Sequence, residues 1–75
     1  PSHVTGVVDG LTGGRNLALA VNGRVRAVAR TYSFVGDTRF SFMVPEYAFR
    51  AGYNDVRVFE VRREGRRLRL LRLRG

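Results

Sequence analysis

Apolar residues alternate with polar ones along most of the chain and seldom recur at helical spacing, so the pattern predicts strands. Six candidate strands lie between turn signals. The first runs from His3 to Leu11, with Val4, Thr5, Val7 and Val8; Gly6 inside it marks a bulge or a close backbone approach. After a loop at Leu11-Thr12-Gly13-Gly14-Arg15, a second strand spans Asn16 to Val21 and a third Arg24 to Phe34. Asn22-Gly23 between them is a strong hairpin signal. A strict two-residue turn would set Leu19 opposite Arg26. A three-residue loop, Val21-Asn22-Gly23 with Gly23 left-handed, sets Leu19 opposite Val25 and Leu17 opposite Ala27. The three-residue loop gathers Leu17, Leu19, Val25, Ala27 and Ala29 on one face, and it is preferred because register follows the buried face.

A turn at Val35-Gly36-Asp37 leads to the fourth strand, Thr38 to Val44, with Phe40, Phe42 and Val44 pointing one way. Pro45 ends it by removing a donor. Glu46 to Tyr53 crosses the end of the domain, with one helical turn at Glu46 to Phe49, and Gly52-Tyr53-Asn54 forms the corner into the last two strands, Asp55 to Arg63 and Arg66 to Arg74. A turn at Glu64-Gly65 pairs Val61 with Leu68, Phe59 with Leu70, Val58 with Leu71 and Val56 with Leu73. It sets Glu60 against Arg69 and Asp55 against Arg74, and it leaves Arg57 against Arg72 and Arg62 against Arg67. The apolar parity switches after Phe59 and Leu70. Either the outer half of a long hairpin uses its other face, or paired bulges do the same job. The expected core is Leu19, Val25, Ala27, Phe40, Phe42, Val56, Val58 and Leu70.

Seventy-five residues make one domain with a thin core. Without cysteine, neither a disulfide nor a thiolate metal site can staple it. The apolar share, 44%, is enough for a core, with five phenylalanines as its large pieces. The chain begins at Pro1, which suggests a domain excised from a larger protein or a processed chain, and no apolar run approaches the ~20 residues of a membrane helix.

Charge adds one functional candidate. The net charge is +8, and all fourteen basic residues are arginine, whose planar fork suits carboxylate, sulfate and phosphate. Eight of them, Arg57, Arg62, Arg63, Arg66, Arg67, Arg69, Arg72 and Arg74, fall on the last hairpin. They are the candidate anion-binding residues, for sulfated glycan, anionic cell-wall polymer or nucleic acid. The competing reading is a solvated sheet face whose arginine stems cover apolar surface.

Catalytic chemistry finds no constellation. His3 is the only histidine, with no cysteine or second histidine to share a metal. Ser2, Ser33 and Ser41 stand in no nucleophile elbow. Among the acids, Asp9, Asp37 and Glu64 read as turn residues, and Asp55 and Glu60 as arginine partners. Gly10, Gly13 and Gly14 precede no helix and no lysine, so they are not a phosphate loop. The expectation is a non-enzyme without cofactor or metal. An RNA-stacking sheet would need two helices that the pattern lacks, which disfavours nucleic acid. Tyr32, Tyr47 and Tyr53 are expected as a partly exposed cluster at one end.

From Leu17 to Val61 the chain resembles bacterial immunoglobulin-like accessory domains. The likeness rests on Val21-Asn22-Gly23-Arg24-Val25, on Thr38-Arg39-Phe40 leading to Val44-Pro45, and on Gly52-Tyr53-Asn54-Asp55-Val56-Arg57-Val58-Phe59. It looks most like the small β-sandwich of envelope sulfatase-like hydrolases of high-GC bacteria, while the first half also resembles carboxypeptidase-regulatory-like sandwiches. The resemblance implies an all-β fold, a small immunoglobulin/fibronectin-III-like sandwich of six to seven antiparallel strands. It also implies an extracytoplasmic, non-catalytic role: packing against or orienting a catalytic domain of the same polypeptide in an exported hydrolase. A binding module for anionic polysaccharide is the alternative, and a nucleic-acid-binding β-domain a weaker one. The corner resembles the turn before the sixth strand of fibronectin type III domains, where Tyr53 or Asn54 would supply the capping bond. The tight hairpin between the second and third strands makes them neighbours, whereas the usual immunoglobulin order sends two such strands to opposite sheets.

Overall fold

The computed structural model describes residues 1–73. Among these residues, seven antiparallel strands form two sheets: β1 (Ser2–Val7), β2 (Asn16–Val21), β3 (Arg24–Arg30), β4 (Tyr32–Phe34), β5 (Asp37–Val44), β6 (Val56–Glu64) and β7 (Arg67–Arg72). One sheet has the order β1-β5-β4 and the other β3-β2-β6-β7. A single 3-10 turn at Glu46–Ala48 follows Pro45. This is the small two-sheet sandwich the alternating pattern implies.

In an immunoglobulin constant domain one sheet holds strands A, B, E and D and the other C, F and G. Here β1, β5 and β4 stand in the places of B, E and D, and β2, β6 and β7 in those of C, F and G. β3 is an added neighbour of C. The β2–β3 hairpin therefore lies within one sheet, and the crossings between sheets fall at β1–β2, β3–β4 and β5–β6. The expected third strand, Arg24 to Phe34, is two strands in different sheets, broken at Thr31. The chain must leave one sheet and enter the other there, and the first strand stops at Val7 rather than Leu11 for the same reason.

Leu17, Leu19, Val21, Phe42 and Val44 are fully buried and hold the two sheets together. Phe40 packs at their margin, its ring 5.3 Å from that of Phe42. Gly6 is paired with Phe40, and a Cβ there would lie 2.6 Å from the ring. The glycine therefore admits a close approach, by a side chain rather than by backbone, and no bulge occurs there. Of the expected core, Leu19 and Phe42 are buried, and Ala27, Phe40 and Val58 are partly so. Val25, Val56 and Leu70 are not core residues: they are 52%, 42% and 49% exposed.

Two registers differ from expectation. Asn22 and Gly23 both take positive φ, 51° and 83°, so the turn is a two-residue one of the I′ kind, with Val21 opposite Arg24. A bulge on β3 then skips Arg26 and brings Leu19 opposite Ala27 and Leu17 opposite Ala29. The local turn chemistry and the buried face both win, because one extra residue reconciles them. Val25 stays on the turn side of the bulge, opposite Ala20, and faces outward. In the last hairpin the turn is Gly65-Arg66, so Glu64 meets Arg67 and Val61 meets Leu70, a shift of two residues. Glu60 is thus opposite Leu71, not Arg69, and Phe59, not Arg57, is opposite Arg72. Arg62 is opposite Arg69, not Arg67. No bulge interrupts this pairing; past Phe59 the apolar residues simply occupy the outer face. The expected partner of Asp55, Arg74, lies outside the described residues, and Asp55 pairs with Arg57 at 3.0 Å.

Candidate functional site

Along β6 the inward positions read Val56, Val58 and then Glu60, because Glu60 is opposite the fully buried Leu17. Its side chain is enclosed, with the residue 2% exposed. Each carboxylate oxygen has its own guanidinium. Arg62 donates from Nε to Oε1 at 3.1 Å, and Arg15 from Nε to Oε2 at 2.8 Å, with a second contact from its terminal nitrogen. Arg62 is two residues along the same strand and so on the same face. Arg15 comes from the loop before β2, and Thr31 fixes that loop: its hydroxyl accepts from Arg15 N–H and donates to the Thr12 carbonyl. Thr31 N–H donates to the Arg15 carbonyl, and Gly14 N–H to that of Thr31. Burial disfavours the ionised form of Glu60. The hydrogen bonds and charges of Arg62 and Arg15 outweigh that and hold its carboxyl below the usual range. Both arginine side chains are partly solvated, so the cluster closes one end of the core as a charged plug.

A second polar cluster joins the motif pieces that carry the resemblance. Asn22, in the hairpin turn, donates from Nδ2 to Asn54 Oδ1 and accepts at Oδ1 from Asp55 N–H, both at 2.9 Å. Asn54 also accepts from Arg50 N–H and donates to the carbonyls of Arg50 and Gly52. Asn54, not Tyr53, caps the corner, and Tyr53 is exposed. The three tyrosines do not gather. Tyr32 is opposite Arg39 near the start of β5, whereas Tyr47 follows its end, roughly 17 Å further on at strand rise. The Arg26 guanidinium lies over the Tyr47 ring, 5.8 Å from its centre.

The hairpin arginines divide between faces. Arg62, Arg67 and Arg69 share the face that continues from Glu60, where Arg62 pairs with Glu60 and Arg69 with Glu64. Arg57, Arg63 and Arg72 share the outer face with Phe59, Val61, Leu68 and Leu70, and Arg66 is in the turn. Arg74 lies outside the described residues. His3 is exposed, opposite Met43, and no group of three or more His, Cys, Asp or Glu side chains that could hold a metal occurs among the described residues.

Both outer faces of the sandwich carry exposed apolar side chains, Val25, Val28, Leu68 and Leu70 on one and Val7, Tyr32, Phe34 and Met43 on the other. A cleft of about 490 Å³ opens between the sheets, where β1 faces β6 and β7; Val8, Phe40, Val56, Val58, Arg72 and Leu73 line it. No family model matches the chain, and no curated protein or solved structure does so either. Sequence reasoning missed Arg15 as a partner of Glu60. The signal was present in the parity: Glu60 shares the inward phase of Val56 and Val58, and a buried carboxylate requires a cation.

Proposed function

We propose that this is a non-catalytic accessory domain that packs against, and orients, a catalytic domain of the same polypeptide in an exported hydrolase. The observation that carries the reading is the apolar surface on both outer faces, from Val28, 75% exposed, to Met43, 62% exposed. In so small a sandwich such surface is suited to being covered by another protein. The likeness of its Asn22-Gly23 and Gly52-Tyr53-Asn54 pieces to those of sulfatase-associated sandwiches supports the same reading. In this role the Glu60 cluster and the Asn22–Asn54 cluster hold the domain's shape rather than act on a substrate.

A second reading, a binding module for anionic polysaccharide, is favoured by the exposure of Arg63, Arg66 and Arg67, which make no ion pair among the described residues. One titration separates the two. The isolated domain is mixed with sulfated glycan, teichoic-type polymer and single-stranded DNA at physiological salt. The accessory reading expects only weak binding that falls steeply with salt and weakens equally for all three on changing Arg66 and Arg67 to glutamate. Micromolar or tighter binding to one of them, lost with a few clustered arginines, overturns it in favour of the binding module.

A further inference from the structure

Among the described residues the sandwich has four strand edges, and three carry the usual defences against pairing with another chain. β3 presents Arg24, Arg26 and Arg30 and is bulged. β7 presents Arg67, Arg69 and Arg72. β4 has only three residues. β1 is different. Its six residues, Ser-His-Val-Thr-Gly-Val, include no arginine, no carboxylate and no proline, and β5 is its only partner among the described residues. It occupies the place of strand B, and its open side is where strand A of an immunoglobulin domain would pair.

Among the described residues the core is also uncovered along that side. Val56 points inward, opposite the fully buried Val21, yet it is 42% exposed. With Val8, Phe40, Val58 and Leu73 it lines the cleft between the sheets beside β1. An undefended edge and an apolar cleft thus adjoin. Arg72, on the outer face of β7, borders the rim of the same cleft and makes no ion pair among the described residues.

The geometry points to β1 as an acceptor for strand addition. The occupant is an extended segment of the protein that this domain accompanies, which makes the inference rest on the accessory reading. Its backbone pairs with β1, every second side chain is apolar and enters the cleft, and a carboxylate near one end meets Arg72. A second copy fits less well. Two copies paired through β1 would leave both clefts open, and each brings a net charge of +8.

The test uses the whole chain and a short synthetic peptide of alternating valine and threonine ending in aspartate. Controls are the same peptide with proline at alternate positions and a version ending in lysine. Amide spectra should shift along Ser2–Val7 and around Val56, and the β1 amides should gain protection from exchange. The proline peptide should not bind, and the lysine version should bind more weakly. Val56→Glu, at a half-exposed position, should weaken binding roughly tenfold or more, while Arg69→Glu on the β7 edge should not. Saturable binding at β3 or β7 overturns the proposal, as does absence of binding. Sedimentation showing dimers that protect β1 without peptide assigns the edge to a second copy and overturns it too. Any of these failures leaves the accessory reading standing, because that reading falls only on tight polyanion affinity.

Discussion

The two hairpins of the four-stranded sheet follow different rules. β2–β3 has Leu17, Leu19 and Val21 buried beneath it, and its turn is held to the Asn54 corner. There the buried face dictates register so strongly that the strand takes a bulge rather than let Leu19 fall opposite Arg26. Beyond Glu60, the β6–β7 hairpin has little beneath it. Arg62 to Leu70 are all exposed, and β2 ends its pairing with β6 at Leu17. With no buried face to satisfy, the turn alone sets the register: Gly65 takes the positive-φ first position, φ 62°, of the Gly65-Arg66 turn.

That contrast orders the expected effects of mutation. Phe42→Ala, under the sandwich, should cost about 3–5 kcal/mol and largely unfold a domain this small, as read by chemical denaturation. A variant that melts like wild type would remove the core described above. Glu60→Gln, where the buried part of the hairpin ends, should cost about 1–3 kcal/mol, since it weakens hydrogen bonds from two guanidinium groups. The same carboxyl gives a pH signature. Its folded value lies below the unfolded one, so the stabilisation is full above the unfolded value of about 4.5 and fades as pH falls through the folded value. In acid titrations followed by circular dichroism, wild type should therefore begin to lose its advantage over Glu60→Gln as pH falls below about 4.5.

Smaller effects sharpen the comparison. Asn54→Ala should cost about 1–2 kcal/mol by freeing the hairpin turn from the corner. Leu68→Ala, on the projecting arm, should stay within about 0.5 kcal/mol. Cross-strand nuclear Overhauser contacts should join Val61 to Leu70, and contacts of Val61 with Leu68 instead would restore the register expected from a Glu64-Gly65 turn.

The contrast also explains what could be read from the amino-acid order. The strands, Phe42 in the core and the corner glycine were legible because alternation and turn residues act locally. The split at Thr31 was not: Tyr32 and Phe34 continue an alternating pattern, and only the need to cross between sheets breaks it. The exposure of Val56 could not be read either, since it depends on β1 having no neighbour, among the described residues, on the side away from β5. At the candidate site, the arginine positions were plain. Their division between faces followed from parity, but the clamp on Glu60 needed Arg15, 45 positions away.

The Asn22-Gly23 turn also has a consequence for how the protein ages. An asparagine followed by glycine is the dipeptide most prone to lose its side-chain amide, because the glycine nitrogen can attack the side-chain carbonyl carbon with little hindrance. Here the Asn22 side chain is tied at both ends, to Asn54 and to Asp55 N–H, and its backbone is left-handed. Attack requires those ties to break first. Deamidation, followed by mass spectrometry, should therefore be slow in the folded domain and rapid after unfolding. A carboxylate formed at Asn22 would lose the donor to Asn54 and face an oxygen instead, so each converted molecule would hold its corner less firmly than before.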